Sequence, residues 1–274
     1  MKVTHDFHIH TKLSLCSHSE NATVDHYVNS ARRQGLNKIG FANHFWGSEP
    51  GNPEYYAGVK DNPSHYYAVQ NYQHVSQIKT EIEKVKDKDV KLFFGCEAEY
   101  DPFTQGVAVT EEQAEQFDYI LVPTSHTHMM MPKSNYYPYQ KHADFMVQAF
   151  ENVLHCNVSR YITAMAHPFE AVCCPYDRYI LMQLISDATY QRLFDQAANK
   201  GIAIEINVFG SSHSEVVEQD ERKIHMLQLA KACGCKFIFG SDAHSIEGHA
   251  FYSDCEAVAD ILNLNEDDLI EIAR

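Results

Sequence analysis

Asp6-Phe7-His8-Ile9-His10-Thr11 is the stretch on which the reading of this chain turns. Phe7 closes an apolar-alternating run, Val3 to Phe7, that reads as a strand. Side chains two apart in a strand point the same way, so His8 and His10 project together, about 7 Å apart along the backbone. Two imidazoles so placed can grip one metal ion. A single His-x-His is weak evidence. Its weight comes from Asn43-His44, Gly95-Cys96-Glu97, Ser125-His126, Ala166-His167-Pro168 and Ser241-Asp242-Ala243-His244, each just past another apolar run.

Those runs give seven strands: Val3–Phe7, Lys38–Ala42, Lys91–Gly95, Tyr119–Pro123, Ile162–Ala166, Ile202–Ile206 and Lys236–Gly240. Helical patterns separate most of them. Thr23 caps a helix over Val24–Gln34, stopped by Gly35. A long helix is expected from Ser64 through His65 to Lys86. Others cover His142–Asn157, Asp187–Lys200 and Glu218–Cys233. The tail Cys255–Arg274 reads as two short helices divided at Asn263-Leu264-Asn265. Strands alternating with helices imply a parallel sheet with right-handed crossovers. In barrels of this kind the functional residues gather at the carboxyl ends of the strands. His8, His10, His44, Glu97, His126, His167, Asn207, Asp242 and His244 all fall at that end, which scattered surface residues would not do.

With 274 residues, 45% of them hydrophobic, the chain suits one large domain, residues 1–274. No signal peptide and no run of membrane-spanning length is seen. The eight cysteines contain no CxxC pair, and reduced thiols in the cytoplasm are the expectation. A net charge of −15 excludes a basic nucleic-acid footprint. It also repels anionic substrates unless bound cations invert the charge locally. Two loops, Phe45–Asn62 and Met129–Gln140, would rise over the carboxyl-end face and shape a pocket.

Taken in order, His8-x-His10, Leu15-Cys16-Ser17-His18, Asn43-His44, Gly95-x-Glu97, Ser125-His126, Ala166-His167-Pro168 and Gly240-Ser241-Asp242-Ala243-His244 resemble the PHP (polymerase and histidinol phosphatase) superfamily of metal-dependent phosphoesterases. Length, and a long helix leading into Val90–Tyr100, are most similar to its histidinol-phosphatase branch. The resemblance implies an α/β fold, a distorted (β/α)7 TIM-like barrel, and three divalent ions of zinc, iron or manganese. His8, His10, Glu97 and Asp242 would take the first ion. Glu97 as a bridge, His126 and His167 would take the second, and His18, His44 and His244 the third. His128 competes with His126, whose nearness to the strand favours it. Three ions bring roughly +6 against two carboxylates, leaving roughly +4 where a phosphate binds. A hydroxide between ions held by Glu97 and Asp242 would be the nucleophile, since coordination brings water's pKa toward ~7.

The implied activity is hydrolysis of a phosphoric monoester, histidinol phosphate or another small phosphorylated metabolite. Asp6 would orient a ligand imidazole. Asn207 would stand behind the ligands or face substrate. Lys133, Arg178 and Arg222 are candidates for a phosphate contact, against the reading as solvated surface cations. His213 and His249 lie near the pocket loops; the other histidines, His5 and His142 among them, read as helix-surface or loop residues. One departure is plain: the histidinol-phosphatase branch carries Asn-x-x-Gly-Leu-Arg after the sixth strand, and here Asn207-Val208-Phe209-Gly210-Ser211-Ser212-His213 has no Arg. Two other readings are an amidohydrolase-type hydrolase of C–N or lactone bonds and a metal-binding domain without turnover. Oligomeric state is left open.

Overall fold

The computed structural model describes residues 1–50, 63–85, 88–207, 221–249 and 252–274. Its centre is a parallel sheet of seven strands in chain order: β1 (His5–Ile9), β2 (Lys38–Phe41), β3 (Lys91–Ala98), β4 (Tyr119–Pro123), β5 (Ala164–Ala166), β6 (Ala203–Asn207) and β7 (Phe237–Gly240). Every neighbouring pair is parallel. A two-residue stretch, His44–Phe45, adds to the top of β3. Ile9 bridges Ala243 in parallel and the His10 amide donates to Ala243 O at 2.9 Å, which brings β7 against β1. The sheet thus curls into the distorted (β/α)7 TIM-like barrel that the alternation of runs implied.

All five residues of β1, β4 and β6 are buried, as expected for strands covered on both faces. Tyr119 spans part of the barrel interior and donates its hydroxyl to Phe7 O at 2.8 Å. Gly40 and Gly95 leave room for that ring: a Cβ at either would stand 2.5 or 2.3 Å from Tyr119 atoms. Outside, Phe150, Phe169, Tyr190 and Phe194 pack ring on ring between the helices Tyr139–His155 and Asp187–Lys200 and the sheet. No helix among the described residues is long and apolar enough to cross a membrane.

Helix Val24–Gln34 starts at Thr23 and stops at Gly35, whose φ of 73° gives the left-handed cap. The Thr23 side chain does not bond the helix N-terminus; it meets His26 Nδ1 at 2.8 Å instead. The long helix expected over Ser64–Lys86 is three short ones, Pro63–Val69, Tyr72–Val75 and Ile78–Lys84. The cause lies in Gln70 and Asn71. Gln70 turns inward, accepting from Leu15 N and donating to Leu13 O. Asn71 accepts from His74 N and so caps a new helix. That helix therefore lends no support to the branch assignment. In the tail, helix Tyr252–Ile261 is followed only by two 3-10 turns, Glu266–Asp268 and Glu271–Ala273.

His5 and His142, expected on a helix surface or in a loop, are buried, and so is His249, expected near the pocket loops. His5 Nε2 accepts from Phe239 N at 3.0 Å, and its ring packs on Phe7 and Phe239. Burial pushes its pKa down to about 3. His142 bridges Tyr176 and Thr127, and burial lowers it to about 4. His249 lies against Ser30 and within 3.4 Å of Asp6. Residues 51–62 of the first expected loop, His213 and the Glu218 helix start lie outside the described residues, as does the Arg178 side chain.

Candidate metal centre

The carboxyl ends of the strands converge on one mouth. The register of β1 against β2 shifts between Asp6 and Ile9, a bulge-like irregularity in the interval that holds Phe7 and His8. His8 and His10 leave β1 together with Nε2 atoms only 3.1 Å apart. Opposite them stands Glu97, fully buried at the end of β3. Glu97 Oε1 is 3.1 Å from His167 Nε2, 3.5 Å from His8 Nε2 and 3.6 Å from His126 Nε2. Asp242 Oδ1 lies 3.0 Å from His10 Nε2 and 3.5 Å from His8 Nε2. Asp242 and His167 hold positive φ, 53° and 28°, which for non-glycine residues costs about 1 kcal/mol or more each. That strain sits where side chains must turn into the mouth.

The other ring nitrogens show which way each imidazole faces. Nδ1 of His8 meets Glu205 at 2.6 Å, that of His10 meets Ser14 Oγ at 3.1 Å, and that of His167 meets Ser125 Oγ at 2.6 Å. Nδ1 of both His44 and His126 meets Glu99, each at a shortest distance of 3.0 Å. Nδ1 of His244 meets Asp242 O at 2.7 Å. Each ring thus has an oxygen partner for an Nδ1 proton, and that assignment leaves Nε2 with a bare lone pair. Nε2 atoms and carboxylate oxygens then face one another at 3.0–3.6 Å, a spacing that a proton or a metal ion between them satisfies. Glu97 Oε2, buried, makes no hydrogen bond even with His44 Nδ1 3.0 Å away. Only positive charge can reconcile such an arrangement.

Charge balance tells the same story. Burial alone would lower the pKa of His8, but Glu205, Glu97 and Asp242 outweigh it and hold the ring well above its ordinary value. His167 and His244 are raised against burial in the same sense. His10 goes the other way: burial, with His244 and His44 beside it, drives it well down. Burial would raise Glu97 and Asp242; the surrounding imidazoles hold both far below the carboxylate range. Burial would likewise raise the Cys16 thiol, yet His44 and His244 bring it down to about 7. The carboxylates draw in positive charge, which protons or metal ions can supply.

Among the described residues, four groups of side chains have ligand atoms within 4.8 Å of one another: His8, His10 and Asp242; His8, His167 and Glu205; His44, Glu97, Glu99 and His126; and His10, Cys16, His44 and His244. The structure therefore brings together eight of the nine residues expected to ligate. His18 stands exposed at the edge of the cleft and belongs to none of these groups; Cys16 takes the inward position. His126 faces Glu97 and Glu99, whereas His128 lines the cleft beyond it. The cleft, about 580 Å³, is also lined by Leu15, His65, Tyr66, Val172 and Cys173.

Three contributors escaped the sequence reading, and two carried a signal. Glu99 follows Glu97 by two, so both point inward from one strand face. Glu205 interrupts the apolar run Ile204–Ile206, and it carries the role first given to Asp6. Gly240 makes room for it: a Cβ there would meet Glu205 Oε1 at 2.1 Å. Asp6 instead accepts from His8 N, Ser241 N and Ser241 Oγ, tying β1 to β7. Asn207 lies behind Glu205, its Nδ2 at 3.4 Å. Lys133 lines a second recess of about 400 Å³ that shares His128 and Cys173 with the cleft. Arg222 stacks on Tyr179 and lies 3.8 Å from Asp177.

The PHP domain family model matches residues 6–209. No match was found among curated proteins. Among solved structures, a histidinol phosphate phosphatase from Lactococcus lactis subsp. lactis Il1403, complexed with zinc, L-histidinol and phosphate, matches over 99% of this chain and 100% of its own, at TM-score 0.63 and 15% identity. An N-isopropylammelide isopropylaminohydrolase from Burkholderia multivorans matches over 96% of this chain and 70% of its own, at TM-score 0.43 and 11% identity. At such identities the first likeness speaks for the fold.

Proposed function

The chain belongs to the PHP domain family, and on that premise we propose that it is a metal-dependent phosphoric monoester hydrolase with a trinuclear centre. The supporting observation is the set of six imidazoles with Nδ1 tied to oxygen and Nε2 left for a cation, closed around a buried Glu97 oxygen that accepts no hydrogen bond. His8, His10, Asp242 and Glu97 would hold one ion. Glu97, His126 and His167 would hold the second, and His44 and His244 would contribute to the third. Bound divalent ions supply Lewis-acid polarisation of a phosphoryl oxygen and an activated water.

The chain's own residues do the rest. Glu205, Ser14, Ser125 and Glu99 fix ring orientation and tautomer. Glu97 and Asp242 bring negative charge to the floor, so cations rather than the anionic surface set the local potential. The 580 Å³ cleft opens from His44, His126 and His244 to solvent and accepts the ester. The adjoining recess of Met131, Lys133, Tyr136 and Tyr137 offers an apolar wall with one cation to the leaving group. A small phosphorylated metabolite fits these dimensions, and the histidinol and phosphate held by the Lactococcus neighbour make histidinol phosphate the first ester to test.

The test is phosphate release from a panel that includes p-nitrophenyl phosphate and histidinol phosphate, before and after chelation and after return of zinc, iron or manganese. Chelator-sensitive phosphate release restored by metal is the expected result. Hydrolysis of amides or lactones alone, or no turnover by the metal-loaded chain, would overturn the proposal.

A further inference from the structure

We propose that Cys16 is a thiolate ligand to the outer ion of this mouth, in the place the sequence suggested for His18, and that it turns that site toward soft cations such as zinc. The inference rests on the metal-centre reading above. Cys16 Sγ and ring nitrogens of His10, His44 and His244 all lie within 4.8 Å of one another. A tetrahedral ion with Zn–S about 2.3 Å and Zn–N about 2.0–2.1 Å holds its ligand atoms roughly 3.3–3.6 Å apart, so these groups would draw in by about an ångström to close on it. His10 is already engaged, its Nε2 being 3.1 Å from His8 Nε2 and 3.0 Å from Asp242. Cys16, His44 and His244 remain, three protein ligands with a fourth position facing the cleft.

The loop that carries Cys16 is fastened on both sides of it. Ser14 Oγ donates to Asn43 and contacts His10 Nδ1. Ser17 Oγ donates to His244 O at 2.8 Å. Leu15 N donates to the buried Gln70 at 2.9 Å. Cys16 is thus bracketed by one residue bonded to the His10 ring and one bonded to the His244 backbone carbonyl. His18 lies just past the last of these fastenings, exposed. When the sulfur–metal bond forms, the thiol proton leaves to solvent. A thiolate then carries one more negative charge than imidazole and disfavours manganese and magnesium relative to zinc.

Cobalt(II) titrated into the chelator-stripped full chain reads this directly, because sulfur ligation gives a strong near-ultraviolet charge-transfer band that nitrogen and oxygen ligands do not. The wild-type chain should show the band. Cys16→Ser should lose the band and one bound ion per chain, while Cys173→Ser, in the same cleft, keeps both. Cys16→His should restore the ion count without the band, and His18→Ala should change neither. Cobalt bound in full without the band, or a band that survives in Cys16→Ser, would overturn this inference alone. Failure to take up cobalt at all would overturn the proposed function with it.

Discussion

The floor of the mouth and its rim use the same residue types but are built differently. On the floor His8, Glu97, His167 and Glu205 stand on or directly after barrel strands and are 3% exposed or less. At the rim Cys16 rides a loop and His244 stands in a bend directly after the Ala243 bridge, its side chain 25% exposed. Ladder hydrogen bonds fix the floor; side-chain-to-backbone bonds from Ser17, Gln70 and Asn43 fix the rim. The contrast teaches that strand-borne candidate ligands can be read from periodicity, whereas a loop-borne candidate is set by a few local bonds that periodicity does not carry.

The floor is where damage should be greatest. Glu97→Gln removes the carboxylate shared by five imidazoles, those of His8, His10, His44, His126 and His167. Losing several kcal/mol of transition-state stabilisation corresponds to about a thousand-fold fall in kcat/KM for ester hydrolysis. Circular dichroism should still report the folded barrel, and a variant within tenfold of wild type would erase the distinction between floor and rim. One step out, Glu205→Gln leaves His8 without its anionic partner. Metal affinity, read by competition with a chelator, should fall by about 10- to 100-fold. Equal affinity would mean that β6 only packs.

At the rim His18→Ala should change turnover and metal content by no more than about threefold, the range of an exposed substitution. A larger loss would move the outer ion from Cys16 back to His18. Beneath the floor, His5 acts on stability rather than on turnover. Its folded pKa of about 3 lies below the unfolded value of 6.5, so between these limits the unfolded chain binds more protons. Stability should therefore fall as pH drops from 6.5 toward 3, by up to about 1.4 kcal/mol per pH unit from this group. His5→Gln, which keeps an acceptor for Phe239 N, should show a shallower fall in acid denaturation midpoints. An unchanged slope would mean that His5 is charged in the folded barrel.

The seven strands were legible because each is short and carries an apolar or apolar-alternating run buried along most of its length, and their ends fell within three residues of the reading. β1 runs to Ile9 rather than Phe7, since His8 is polar yet sits inside the ladder. Eight of the expected ligands meet because the position after a strand is set by the fold itself. Glu99 and Glu205 were less legible because one stands two residues past the end of its apolar run and the other is enclosed within its run, although both lie two residues from a candidate residue, Glu97 and Asn207. Cys16 carried no periodic signal at all. The broken helix after Ser64 was illegible for a similar reason: its apolar spacing continues through Gln70 and Asn71, and only their side-chain bonds show that the backbone does not.

The central claim is that these strand ends hold a cluster of cations, and anomalous diffraction from crystals grown with zinc tests it most directly. The account predicts three peaks at the mouth, two of them within bonding distance of Glu97. An empty mouth in a zinc-saturated crystal, or peaks only at surface histidines, would contradict it.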